Sequence, residues 1–165
     1  MILKEGRYFR FSRRGDWEFF SRKNCSDVAI IVALTDEGKV IFVEQYREPV
    51  RKKVIEFPAG LINDHTPETF AQGAKRELLE ETGYRARRIT RLLKGPAQSG
   101  ASADLVTMVR AYGLKKVSAG GGDRSEKIKV HEVILTEVPA WLKKMSRRGY
   151  LIEPKVYAGL YFLTA

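Results

Sequence analysis

Cysteine is almost absent from this chain: Cys25 is the only one in 165 residues. A lone thiol cannot close an intramolecular disulfide, which excludes a stapled secreted scaffold and makes a reducing cytoplasm the expected compartment. The opening "MILKEGRYFRFSRRG" has no charged-then-apolar leader ending in small residues, so no secretory signal is expected. Histidine is scarce too, and His65 and His131 stand apart with no Cys/His set of the kind zinc takes. The longest apolar run is the short "VAIIVAL" from Val28 to Leu34, against the ~20 residues that a membrane-spanning helix needs. That run reads as a buried strand, and no membrane partner is expected. There are no internal repeats, and the one glycine-rich tract, Gly120 to Gly122, reads as a mobile loop.

What is present is a globular composition, 44% hydrophobic and 30% charged along the whole length, which argues against disorder. Lys and Arg number 30 against 20 Asp and Glu, a net charge of +10. The far field therefore attracts polyanions, nucleotides or acidic headgroups, and charge alone does not choose among them.

The aromatic and basic stretch "RYFRFSRRGDWEFFSRKN" predicts two strands, Arg7 to Arg13 and Trp17 to Lys23, around a tight turn. Such a hairpin is marginal alone and must pack on something. Two apolar β-branched runs separated by Asp36-Glu37-Gly38 predict a second, more buried hairpin. "VIEFPAGLI" is a short strand stopped by Pro58. Thr66 as N-cap and Pro67 at the first helical position predict a helix that runs to Thr82 and ends at Gly83. Its apolar stripe is Phe70, Ala71, Ala74, Leu78, Leu79 and Thr82. Strands follow at "RITRLLKG", "LVTMVRAYGL" and "KVHEVILTE", then a helix near Val138 with Pro139 in its first turn, and a last helix from Pro154 to Leu163.

Within the first helix, Glu77, Glu80 and Glu81 fall at i, i+3 and i+4, so three carboxylates leave one side of a single turn. Their mutual repulsion costs a few tenths of a kcal/mol per pair, part of which Arg76 offsets by reaching Glu80. From the residues alone, two readings are open: a solvated helix face, or an oxygen-donor site for a hard divalent cation such as Mg²⁺ or Mn²⁺.

The flanking residues bear on that choice. "GLINDHTPETFAQGAKRELLEETGY", Gly60 to Tyr84, resembles the signature of the Nudix hydrolases, with Arg76, Glu77, Leu78, Glu80, Glu81 and Gly83 in their slots. Glu68 lies seven spacers before Arg76 as the pattern asks, but seven residues rather than the family's five separate it from Gly60. "VIFVEQYREPVRKKVIEFPAG" is similar to the "EQYR" and "PAG" region of the ADP-ribose pyrophosphatase and nucleoside-diphosphate-sugar branch.

The resemblance implies an α/β fold: a Nudix α/β/α sandwich with a mixed sheet over residues 27–165, plus a small N-terminal β-hairpin element over residues 1–26. It implies metal binding by Glu77, Glu80, Glu81 and the carbonyl of Ala59, with Mg²⁺ expected and Mn²⁺ as the alternative. Arg76, Glu80 and Glu126 are the catalytic candidates, Glu126 in "EKIKV" and Glu80 being rival general bases. Arg47, Glu56 and Ser99 match substrate-facing positions, while Gly60, Glu68 and Gly83 are structural. The implied reaction is hydrolysis of a pyrophosphate to a nucleoside monophosphate and X-phosphate. Ser99 stands where ADP-ribose specialists carry proline, so nucleoside diphosphate sugars are expected, with ADP-ribose as one substrate among them. The N-terminal element cannot bury Tyr8, Phe9, Phe11, Trp17, Phe19 and Phe20 by itself, so a homodimer is expected. Two other readings compete: an RNA 5′-pyrophosphohydrolase, which the basic clusters favour, and a non-catalytic nucleotide- or RNA-binding module.

Overall fold

A computed structural model describes residues 1–23, 27–63, 67–122 and 127–164. The predicted helix cap Thr66 and the candidate base Glu126 lie outside these described residues.

The N-terminal stretch forms an antiparallel three-stranded sheet, β1 (Ile2–Glu5), β2 (Phe9–Arg14) and β3 (Trp17–Arg22). The β2–β3 hairpin is the predicted one and turns at Gly15, whose φ of 58° needs glycine. Strand β1 was not anticipated; all four of its residues are exposed, so no alternation marks it. Backbone bonds from Phe20 to Ala101 and from Ala103 to Phe20 stitch this sheet to the loop at 97–104.

The expected second hairpin divides instead. Strand β4 (Asp27–Ala33) and strand β5 (Lys39–Arg47) do reverse at Thr35 to Lys39, but only one bridge, Leu34 to Val40, joins them. Each is then central in a different four-stranded sheet. With β6 (Lys52–Glu56), β7 (Ala59–Ile62), β8 (Tyr84–Pro96), β9 (Leu105–Lys116), β10 (Lys129–Ile134) and β11 (Leu151–Ile152), the orders are β7-β4-β9-β8 and β10-β5-β6-β11. The reason is burial: Ala29 to Ala33 and Val40 to Val43 are buried at every position, so each strand needs layers on both faces and a neighbour on both edges. Pairing is mixed, parallel for β4–β9 and β6–β11 and antiparallel elsewhere. Pro58 does not end one strand; it sits where the chain leaves β6 in one sheet and enters β7 in the other.

Helix α1 (Phe70–Thr82) starts three residues later than Thr66-Pro67 suggests. Thr69 caps it in a reciprocal box, its hydroxyl accepting from Gln72 N while Gln72 Oε1 accepts from Thr69 N at 2.8 Å. Just ahead of that cap, Asn63 Oδ1 accepts from Glu68 N at 2.7 Å. The end at Gly83 is as expected, with φ of 74° and its N–H on Leu79 O. The buried positions are Gly73, Ala74, Leu78, Glu81 and Thr82, so Ala71 is exposed and a glutamate joins the inner face.

Odd positions of β4 (Ala29, Ile31, Ala33) meet Ala74 and Leu78 of α1. Its even positions, Ile30 and Val32, face a second core with Phe42, Ile55, Phe57 and Met108. Helices α2 (Val138–Arg147) and α3 (Pro154–Thr164) close that core with Leu142, Met145 and Val156. The Phe42 ring stacks on Phe57 and on Trp141, centroids 5.2 Å apart in each case. Helices thus lie on both sides of the sheets, as the α/β/α expectation requires. Among the described residues no helix is long and apolar enough to cross a membrane.

Candidate active site

The carboxylate turn of α1 is held against the start of β7. The Ala59 N–H donates to Glu81 Oε2 at 3.1 Å, and Glu81 is buried. Glu77 lies one turn earlier on the same side, so close to the backbone that a Cβ on Gly60 would sit 1.9 Å from its carboxylate carbon. Gly60 is therefore required by a close approach: any side chain there would displace the Glu77 carboxylate. Two buried or nearly buried carboxylates meet the Ala59-Gly60 backbone in this way.

Arg76 organises the rest. Its Nη2 donates to Glu68 Oε1 at 2.8 Å and to Leu61 O at 3.1 Å, and its Nε donates to Glu68 Oε2 at 3.3 Å. Its Nη1 reaches Glu77 Oε1 at 2.7 Å and Glu80 Oε2 at 3.1 Å, the latter being the i+4 pair anticipated from the sequence. The hydrogen bonds it donates to Glu68 above all, and then the charge of Glu77, push the Arg76 pKa above its ordinary value, so the cation is permanent. Glu68, at the far end of the lengthened loop, thus acts on the helix through Arg76, and Gly73 leaves room for it: a Cβ there would come 2.7 Å from Glu68 Oε1.

Glu80 differs from its two neighbours, with 53% of its side chain exposed against 12% for Glu77. Among the described residues, no three His, Cys, Asp or Glu side chains close on one centre. The reason is visible in the pairing: Arg76 draws Glu77 and Glu80 toward itself while Glu81 bonds the Ala59 N–H. The donors on hand are all oxygens, which suits a hard divalent cation rather than zinc.

Arg47 and Glu56 come together on adjacent strands, Arg47 Nε and Nη2 lying 2.9 and 2.8 Å from Glu56 Oε2. Burial pushes the Glu56 carboxyl above its ordinary value although Arg47 pulls it down. A carboxyl raised in the fold binds its proton more tightly there than in the unfolded chain. Its ionisation therefore removes stability as pH rises from about 4.5 through the folded value. Glu56→Gln keeps the shape and an acceptor for Arg47, so the melting-temperature difference, variant minus wild type, is expected to be more positive at pH 8 than at pH 4.5. Thermal unfolding at both pH values checks this, and equal differences would contradict it.

Ser99 lies in the exposed turn beside the N-terminal sheet and, among the described residues, shares no hydrogen bond with the carboxylate turn. The glycine tract, expected to be mobile, is instead docked: Gly121 N and Gly122 N donate to Glu81 O and Glu80 O at 2.8 and 3.1 Å. A buried ionic group was missed altogether. Glu44, from "EQYR", accepts from Lys53 Nζ at 2.8 Å, pairs with His131 Nε2 at 2.9 Å and faces the Tyr150 hydroxyl at 3.4 Å. Burial opposes its charge, but the Lys53 and His131 hydrogen bonds outweigh it and hold the carboxyl below its ordinary value. The signal for it was a glutamate at the end of an otherwise apolar run.

The chain is similar to several known proteins. The chain is 34% identical over 115 residues to the methanol dehydrogenase activator of Bacillus methanolicus, covering 69% of this chain and 61% of that one. It is 33% identical over 132 residues to the ADP-ribose pyrophosphatase of Bacillus subtilis (strain 168), covering 79% and 69%. The chain thus spans less than two thirds of the first of these relatives. A solved structure described as an ADP compounds hydrolase superposes with a TM-score of 0.73 at 19% identity, over 99% of this chain and 89% of that one, which establishes the likeness of fold. The NUDIX domain model matches residues 26–147, well over half of the chain. With the carboxylate turn, its arginine hub and the docked "PAG" segment inside that match, the chain belongs to the Nudix family.

Proposed function

We propose that the protein is a divalent-metal-dependent pyrophosphohydrolase that cleaves nucleoside diphosphate sugars, ADP-ribose among them, to a nucleoside monophosphate and a sugar phosphate. The observation that carries this reading is the convergence of Glu77 and Glu81 on the Ala59-Gly60 backbone. Glu77, Glu81, Glu80 and the Ala59 carbonyl would hold Mg²⁺, with Mn²⁺ as the alternative. When bound, such a cation neutralises phosphate charge and acidifies water.

The protein's own groups supply the rest. Arg47 presents a planar fork suited to phosphate oxygens, and Glu56 holds that fork in place until substrate arrives. Glu126 is the candidate to accept the proton of the attacking water, with Glu80 as its rival because it is the exposed carboxylate of the turn. The likeness to the ADP-ribose pyrophosphatase of Bacillus subtilis supports the substrate class, and that to the GDP-mannose pyrophosphatase of Citrobacter koseri, 27% identical over 151 residues, widens it beyond ADP-ribose. Residues 1–26 are proposed as the dimerisation element and 27–165 as the catalytic unit. Trp17 and Tyr8 are left more than 60% exposed, an apolar surface that a second copy would cover. A single cysteine suits a reducing cytoplasm.

The RNA 5′-end reading keeps one specific observation in its favour: Arg85, Arg87, Arg88 and Arg91 are exposed on β8. None of them makes an ion pair among the described residues. The deciding experiment offers ADP-ribose, GDP-mannose and other nucleotide sugars beside triphosphorylated RNA, with and without Mg²⁺, and identifies the products by chromatography. Mg²⁺-dependent release of nucleoside monophosphate from the sugars is expected. Turnover of RNA alone, or none on any compound, would overturn the proposal. In the same assay Glu126→Gln is expected to lower kcat by roughly 10²-fold or more and to remove the acid limb of the pH profile. If Glu80→Gln does so instead, the base is Glu80.

A further inference from the structure

We propose that Gly120 is a positioning residue for the carboxylate turn, through a backbone clasp that fixes the C-terminal end of α1. The inference rests on the metal-site reading given above and adds a residue outside the family signature.

A helix normally leaves its last four carbonyls to water or to a cap. Here three of the four are taken up by the protein's own backbone: Gly83 N donates to Leu79 O, Gly122 N to Glu80 O and Gly121 N to Glu81 O. In the other direction, Gly83 O accepts from Val117 N at 2.9 Å and from Ser118 N at 3.3 Å. The two backbones cross so tightly that neither tolerates a side chain. A Cβ on Gly120 would lie 2.4 Å from the Thr82 carbonyl carbon, and one on Gly83 would lie 2.1 Å from Ser118 O. Gly120, Gly121 and Gly122 have φ of 69°, 117° and 78°, backbone states that side-chain-bearing residues rarely adopt. The clasp is closed at its other end by Ile128 N on Gly121 O at 3.3 Å.

The consequence falls on Glu81, which is tied at both ends. Its carbonyl accepts from Gly121 N and its carboxylate from Ala59 N. Glu80 is tied through its carbonyl to Gly122. Moving the tract off the helix end frees the backbone from which both carboxylates project, so the clasp and cation binding are coupled, and the coupling is reciprocal.

Two measurements test this. In the wild-type protein, amide hydrogen exchange by NMR is expected to show Gly121 and Gly122 protected, and saturating Mg²⁺ to slow their exchange further. Separately, Mn²⁺ binding followed by EPR is expected to weaken about tenfold in Gly120→Ala. It should stay within twofold of wild type in Gly38→Ala, a control with φ of 77° whose Cβ meets nothing within 4 Å. Exchange at Gly121 and Gly122 indifferent to Mg²⁺ would overturn the proposal, as would Mn²⁺ affinity unchanged in Gly120→Ala or lowered equally in Gly38→Ala. If Gly120→Ala does not fold, the exchange experiment decides. Mn²⁺ binding by wild type with no response in the clasp sinks this inference alone, whereas no Mn²⁺ binding by wild type sinks the metal site with it.

Discussion

Glu81→Gln is expected to lower kcat/KM on the order of a thousandfold while leaving the melting temperature of the metal-free protein unchanged or slightly raised. The two halves of this expectation have separate causes. Glutamine has nearly the volume of glutamate and keeps an oxygen to accept from Ala59 N, so the buried contact with β7 survives. The substitution also removes one of three crowded like charges, each pair of which costs a helix a few tenths of a kcal/mol. The fold therefore loses nothing. The site loses a charge that would oppose a divalent cation, and removal of one such electrostatic contributor typically costs 10²- to 10³-fold or more. Steady-state kinetics with a nucleotide sugar, together with a thermal melt without metal, checks both halves. Activity within threefold of wild type would show that Glu81 is an inner-face glutamate and nothing more.

Arg76→Ala should give the largest loss of stability of any single change at the site. Arg76 is the shared counter-ion of Glu68, Glu77 and Glu80, and its side chain is 29% exposed against 11% and 12% for Glu68 and Glu77. Truncating it takes the Arg76 guanidinium away from two nearly buried carboxylates. Breaking such a pair from one side costs about 3 kcal/mol, the lower end of the range being chosen because the guanidinium is partly wet. For a chain of this size that corresponds to a fall in Tm of roughly 10 °C. Saturating Mg²⁺ is expected to raise Tm more in the variant than in wild type, because the ion replaces the missing charge. Arg76→Lys should recover only part of the loss, since an ammonium cannot reach both Glu68 oxygens, Glu77 and Leu61 O together. A melt of Arg76→Ala within 2 °C of wild type would contradict this account.

Local signals read well from the sequence where a backbone constraint names its residue. Gly83 ends α1, Pro139 sits in the first turn of α2, and Arg76 reaches Glu80, all as the sequence suggests. Most of the failures share one cause, that sequence-local chemistry does not fix which distant surface an element meets. The turn at Asp36-Glu37-Gly38 reverses the chain, yet whether β4 and β5 pair was decided by burial on both faces of each. The helix start is a local exception: Thr66-Pro67 suggests an earlier start, but the box Thr69-x-x-Gln72 satisfies two backbone groups at once and begins α1 at Phe70. Glu44 and His131 are 87 residues apart, beyond any local pattern. The glycine tract was misread because glycine permits both freedom and close approach, and only a neighbouring backbone distinguishes them.

Strand β8 is an outer edge of its sheet and thirteen residues long, with the Arg87 carbonyl taken by Lys75 Nζ at 2.7 Å. A strand of that length is a template on which a second chain could zip. Arg85, Arg87, Arg88 and Arg91 stand along its first half, so an identical strand laid antiparallel in register there would bring Arg85 against Arg91 and Arg88 against Arg88. The charge that draws attention as a polyanion surface is then also a guard against fibre growth, and it weakens as salt screens it. Self-association along this edge is disfavoured at low ionic strength and becomes easier as salt rises.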